Sequence, residues 1–170
     1  MVRISCYQRY RMAEIMKFKK NEELIISILI PLTVGAVSSL LSGSMMKTYE
    51  QLVKPRGAPP ATIFPILWTI LYVFMGISFY ILWTTPLVKP KKAIRIYFLQ
   101  LFFNFFWSIL FFHFHAYLLS FIWILLMIFI IIFMINEFYK INPLAAVLQI
   151  PYLVWSVFAA YLNFMVFLLN

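Results

Sequence analysis

The sequence predicts an all-α membrane protein, a five-transmembrane-helix bundle, and three observations carry that prediction. Of 170 residues, 65% are apolar and only 11% are charged, against about 25% charged in an ordinary soluble domain. Long apolar runs succeed one another along the chain, each of about the 20 residues that an α-helix needs to cross a bilayer. Lys and Arg fall almost wholly in the amino-terminal tail and the connecting loops. That placement is the one expected of membrane-flanking anchors. The net charge of +9 therefore points to lipid headgroups as the partner and not to nucleic acid. The lone Cys6 excludes an internal disulfide framework and a thiolate metal cluster.

Residues 1–23 form a basic tail with Arg3, Arg9, Arg11, Lys17, Lys19 and Lys20 against Glu14, Glu22 and Glu23. It has no apolar core and no small-residue cleavage site, so it reads as an anchor and not as a removable signal peptide. Met16 looks like a natural chain start, which would make the first fifteen residues an extension. Residues 24–170 form the membrane domain. Its first span covers about 24–46, where Gly35, Ser38, Ser39, Ser42 and Gly43 recur at three- and four-residue spacing. Small residues so spaced let a second helix backbone approach closely.

Between Lys47 and Thr62 lies the longest connection, and the helices are organised around it. Four prolines fall between Pro55 and Pro65. Pro59 and Pro60 cannot lie inside a helix, whereas Pro65 is tolerated in a first turn. The segment reads as a short stiff loop feeding the second span, about 63–83, with Trp68, Tyr72, Met75 and Phe79 along one face. Pro86 and Pro90, with Lys89, Lys91 and Lys92, mark the next loop. The apolar stretch from Arg95 to Tyr139 is too long for one crossing and suits two. Its break is expected at His113-Phe114-His115-Ala116, giving a third span over about 93–113 and a fourth over about 116–137. The fourth has Ser120 and Trp123 but no polar stripe, and is expected to face lipid or a second subunit. Pro143 opens the fifth span, about 143–169. Five spans put the termini on opposite sides, and eleven of the fourteen Lys and Arg lie on the amino-terminal side. The positive-inside rule then places the amino terminus in the cytoplasm and the proline loop and carboxyl terminus outside.

Polar groups inside a bilayer must find partners or line a cavity. The third span aligns Gln100, Asn104 and Ser108 beside Trp107 and Phe111, with His115 at the rim. The fifth aligns Gln149, Tyr152, Ser156 and Asn163 beside Trp155, and the second adds Trp68 and Tyr72. These faces fit either of two roles. They can converge on a flat-walled apolar pocket for a large planar ligand, or they can tie helices together. Catalytic equipment is missing. There is no Asp, and the spans contain no acid short of Glu137, which excludes interior carboxylate pairs, Ser–His–Asp arrangements and the ionisable relays of coupled transport. His113 and His115 lack a third ligand, so they read as residues of an interfacial turn and not as a metal or haem site.

The motifs then resemble those of the translocator protein family, also called tryptophan-rich sensory proteins or peripheral-type benzodiazepine receptors. The matching pieces begin with Tyr49-x-x-Leu52-x-Lys54-Pro55-x-x-x-Pro59-Pro60 and Phe64-x-x-x-Trp68-x-x-x-Tyr72, with Met75-Gly76 after them. The third span has Leu99-Gln100-x-x-x-Asn104-x-x-Trp107-Ser108-x-x-Phe111-Phe112. The fifth has Pro151-Tyr152-x-x-Trp155-x-x-Phe158-Ala159-x-x-Leu162-Asn163. The resemblance implies a homodimeric five-helix bundle of the bacterial cell membrane. It would bind porphyrins, such as protoporphyrin IX or a related tetrapyrrole, and benzodiazepine-type drugs, with no obligatory cofactor and no metal. By motif, the pocket lining would include Tyr49, Trp68, Asn104, Trp107, Ser108, Trp155, Phe158 and Ala159, none of them catalytic. A sensor or carrier role is implied, with light-dependent porphyrin breakdown or tetrapyrrole transport as alternatives. Two departures stand out. Gly57 occupies the position, two before the proline pair, where the family usually has a tryptophan implicated in porphyrin breakdown, which weighs against that activity. Tyr161 is followed by no basic residue, so the sterol motif proposed for vertebrate relatives fails.

Overall fold

The computed structural model describes residues 6–85 and 90–170, with side chains from Lys20 onward. The side chains of Arg3, Arg9, Arg11, Lys17 and Lys19, and the loop residues Pro86 and Lys89, lie outside the described residues. Among the described residues the α-helices are, in order, α1 (Cys6–Leu41), α2 (Met45–Gln51), α3 (Ile63–Thr84), α4 (Lys91–Ser108), α5 (Tyr117–Tyr139), α6 (Pro143–Val147) and α7 (Ile150–Leu169). A π-helical segment, Ile109–His113, prolongs α4. Five stretches are long and apolar enough to cross a membrane: Lys20–Leu41, Ile63–Thr84, Lys91–His113, Tyr117–Tyr139 and Pro143–Leu169. The all-α five-span architecture is the one the composition predicts.

The first span is shorter at its far end than the sequence suggests. It stops at Leu41 and not near Met46, because Gly43 takes φ +75°, a left-handed conformation that ends helices and that glycine adopts without steric cost. Part of the predicted loop is the short helix α2. His115 adopts φ +53° and is exposed, as suits a residue of the turn between α4 and α5.

The spans close into a ring. α1 packs on α3 and α4, α4 on α5, and α5 on α6 and α7, while α6 returns to α3. Aromatic contacts between Phe64 and Trp155 (5.8 Å) and between Trp68 and Tyr152 (6.2 Å) join α3 to α7. The fourth span has an outward face, as expected, and also a packed one: α5 buries Ser120, Ile124, Met127, Ile131, Met134 and Phe138 at helical spacing. Its other face, with Leu118, Ile122, Leu126, Phe129 and Phe133, is exposed. An all-apolar helix hides such a stripe from sequence inspection because both faces have the same chemistry.

Backbone that leaves regular helix inside a bilayer needs new partners, and serines supply them. Between α6 and α7 the Gln149 N–H bonds the Ala146 carbonyl three residues back. The Ala145 carbonyl, so released, accepts from Ser78 Oγ of α3 at 2.7 Å. At the start of the π segment the Ile109 N–H bonds Phe106, and Phe105's carbonyl accepts from Ser38 Oγ of α1 at 2.6 Å. Within α1, Pro31 has no N–H to give the Ser27 carbonyl. Gly76 of α3 lies against that turn so closely that a Cβ there would stand 2.8 Å from the Ser27 oxygen and still closer to the Ile28 backbone. Glu137, at the end of α5, is paired with Lys92 (3.1 Å) and Lys140 (2.5 Å), which fastens α4 to α5 on the amino-terminal side.

Candidate functional site

On the side of the proline loop, α1, α2, α3 and α4 enclose a cavity of about 740 Å³. α1 contributes Leu32, Gly35, Ala36 and Ser39, α2 contributes Met45 and Tyr49, and α3 contributes Phe64, Trp68, Thr69 and Tyr72. Trp107, Ser108 and Phe112 complete the wall from α4 and its π segment. Pro65 also belongs to the lining.

The aromatic wall is held in place by neighbours behind it. Trp68 lies 5.5 Å from Tyr72 and 6.1 Å from Trp107, with rings inclined by 32° and 35°, so a surface of tilted rings lines the cavity. Tyr72 Oη donates to Asn104 Oδ1 at 2.7 Å, Asn104 Nδ2 donates to Tyr152 Oη at 3.1 Å, and Tyr152 donates on to Met127 Sδ at 3.3 Å. This buried chain fixes the Tyr72 ring, and Gly35 gives that ring its room, since any Cβ there would overlap it. With its amide oriented to match its surroundings, Asn163 of α7 accepts from Trp107 Nε1 at 3.1 Å and donates to the Tyr117 carbonyl at 3.0 Å. The Trp107 indole is thereby pinned from behind.

The roof is built around Tyr49. Its ring meets Phe64 edge-on at 4.8 Å, its hydroxyl donates to the Pro59 carbonyl at 3.0 Å, and Lys54 Nζ sits 4.9 Å above its face. Burial raises the Tyr49 phenol above its ordinary value, so it stays a neutral donor at physiological pH. A second tie comes from α7. The Asn170 side chain accepts from the Val53 N–H at 3.0 Å and donates to the Val53 carbonyl at 3.1 Å, clasping the loop by both main-chain groups. Gly57 is exposed with φ +87°, a backbone conformation that an L-residue with a large side chain resists.

Of the eight residues expected to line a pocket, the structure brings Tyr49, Trp68, Trp107 and Ser108 onto the cavity. Asn104 lies one layer behind as the anchor of Tyr72. Trp155 stands behind Phe64 with Phe158 against it at 5.4 Å, and Ala159 is buried in the bundle. These four do not reach the lining. The Trp155 Nε1 is buried without a hydrogen-bond partner among the described residues. Sequence reasoning misses the contribution of α1. Its small-residue stripe suggests a packing face alone, but while Ser38 bonds α4 and Gly35 receives the Tyr72 ring, Ala36 and Ser39 line the cavity.

These features define a polytopic helical membrane protein with a small-molecule-sized, aromatic-walled cavity under its first loop. The chain belongs to the TspO/MBR family, whose sequence profile matches residues 27–169. A tryptophan-rich protein TspO of Archaeoglobus fulgidus is 36% identical over 87% of this chain and 97% of its own length. One of Chlorobaculum tepidum is 35% identical over 72% and 78% of the two chains. The translocator protein of Ovis aries is 32% identical over 73% and 75%.

Proposed function

We propose that the protein is a receptor or carrier for porphyrin-like tetrapyrroles and other planar hydrophobic molecules, held in the cavity between α1, α2, α3 and α4. The observation that carries this reading is the wall of inclined rings formed by Trp68, Tyr72 and Trp107 around about 740 Å³. Small-molecule sites typically span about 300–1,000 Å³ and combine apolar walls with a few polar groups. Here Ser39, Ser108, Thr69 and the Lys47 ammonium supply the polar groups, and the Lys47 charge suits a carboxylate-bearing porphyrin edge at the loop. Trp155 joins the site if Phe64 turns aside, exposing an indole N–H that otherwise has no acceptor.

The same reading places the amino terminus in the cytoplasm and the cavity roof outside, by the bias of Lys and Arg toward the amino-terminal side. It keeps the homodimer that the family resemblance implies, with the exposed apolar faces as its material. Light-driven breakdown is the second reading, and Gly57 counts against it. Protoporphyrin titration of the purified protein in detergent, in the dark and then under illumination, tests both. Saturable tryptophan quenching that weakens in Trp68→Ala and in the cavity-filling Ser39→Phe, with a spectrum stable in light, is the expected result. Bleaching faster than that of free porphyrin supports the enzyme instead, and no saturable binding ends the tetrapyrrole reading.

A further inference from the structure

The core of the amino-terminal half holds polar atoms that the protein does not satisfy. Gln100 of α4 and Gln149, at the entrance to α7, are both 0% exposed. Neither the amide nitrogen nor the amide oxygen of either finds a hydrogen-bond partner among the described residues. The Tyr97 hydroxyl, also 0% exposed, is in the same position. An unpaired polar atom in a membrane interior costs several kcal/mol, so five such atoms on three side chains are not a tolerable accident.

Their placement makes one site of them. α4 and α7 run in the same direction across the bundle and touch where Asn104 Nδ2 meets Tyr152 Oη. Gln100 lies one turn before Asn104 and Gln149 one turn before Tyr152, which puts both amides in the layer next to that contact, toward the amino-terminal side. Tyr97 is a further turn down the same face of α4. Its ring is fixed between Phe79 (4.7 Å) and Phe138 (6.4 Å), so its hydroxyl cannot swing out to the interface. The chain also leaves regular helix here, between Val147 and Ile150.

The chemistry of the unpaired groups selects the occupant. Two carboxamides and a phenol offer donors and acceptors together. A cation would use only the oxygens and an anion only the N–H and O–H groups, and the nearest acid at this end, Glu137, is already paired with two lysines. Water uses both kinds of group, and buried waters typically make about three bonds to otherwise unsatisfied polar atoms. We propose that Gln100, Gln149 and Tyr97 form an internal hydration site that holds ordered water in the amino-terminal half of the bundle. This water continues the Tyr72–Asn104–Tyr152 chain, so one hydrogen-bonded path runs from the cavity wall deep into the opposite half of the membrane. The proposal stands apart from the identity of the cavity ligand.

X-ray radiolytic footprinting of the full chain in detergent tests it, because hydroxyl radicals formed from bound water modify the side chains beside it. Tyr97 is expected to be modified despite its burial, and this labelling to fall to the level of buried apolar residues in the Gln100→Leu, Gln149→Leu double variant. Thermal unfolding supplies a second readout. If water satisfies the amides, the single Gln100→Leu change lowers the melting temperature. If the amides are dry and unpaired, the same change raises it. An unlabelled Tyr97 in the parent protein overturns the proposal whether or not any variant folds, since direct pairing of the two glutamines and a dry core both predict it.

Discussion

The two halves of the bundle use the same small residues to opposite ends. On the amino-terminal side Gly76 lets α3 close against the Ser27–Ile28 turn of α1 until the backbones touch, and methionine and aromatic side chains fill the interior. On the loop side Gly35 again admits a neighbour, but that neighbour is the ring of Tyr72, held by Asn104. Beside it Ala36 and Ser39 of α1, with Gly43 just after that helix, line the cavity. In one half α1 and α3 close backbone to backbone; the other is propped open by aromatic rings whose polar ends are tied to the helices behind them. Gly76 thus brings two helix backbones together, whereas Gly35 admits the fixed ring that forms part of the cavity wall.

The largest effect should come from breaking the close approach of α3 to α1. Gly76→Leu forces side-chain atoms into the α1 backbone, and overpacking of this kind costs on the order of 3 kcal/mol. Thermal unfolding in detergent should show a much lower melting temperature or no folded protein. Gly43→Ala makes the contrast. Nothing lies within 4 Å of a Cβ there, so only its left-handed backbone is strained, at about 1–2 kcal/mol.

Next in size is the prop behind the open half. Asn104→Leu leaves the Tyr72 hydroxyl unpaired and takes one of two bonds from the Tyr152 hydroxyl, which keeps Met127 Sδ, a loss of about 2–3 kcal/mol. It should also free the Tyr72 ring to enter the cavity. The melting temperature and the ligand affinity are expected to fall together, whereas Ser39→Phe should lower affinity alone. Equal affinity in Asn104→Leu and the parent would mean that the ring position does not shape the site. The serine ties rank below this. Ser38→Ala and Ser78→Ala each strip one donor from a released carbonyl, at about 1–2 kcal/mol, and unfolding measurements on the pair should place both in that range.

How much of this is legible in the sequence depends on the kind of residue involved. Spans can be read because twenty apolar residues between charges have one meaning in a long helix. The stripe of Gln100, Asn104 and Trp107 can be read as inward-facing because polar residues contrast with their apolar surroundings. The buried stripe of α5 cannot, since Ile124 and Met127 look like Leu125 and Leu126 when all are apolar. Nor can the division of the predicted site. Spacing says that Trp68 and Trp155 face the interior, but which of them meets the cavity depends on Phe64 standing between Trp155 and that space. The end of the first span at Leu41 turns on one left-handed glycine, Gly43, in a run that is otherwise plausible helix. Asn170 carries no signal at all, because a polar residue at a helix end is ordinary until its partner in the loop is known.

That last residue gives the smallest effect and the finest test of the open half. Asn170 clasps Val53 by both its N–H and its carbonyl, but both residues are exposed, and water replaces such bonds at a cost of about 1 kcal/mol or less. Asn170→Ala should therefore leave the melting temperature nearly unchanged. What it should change is how often the loop lifts from the cavity, since the Tyr49–Pro59 bond would then be the remaining side-chain tie among the described residues. Limited trypsin digestion reads this at Arg56, which is exposed beside Gly57. Cleavage after Arg56 is expected to quicken in the variant, and ligand association and dissociation to quicken together with little change in affinity. Unchanged cleavage would show that Tyr49 alone holds the roof. A fall in affinity without faster exchange would show instead that Asn170 shapes the occupied site and not the way into it.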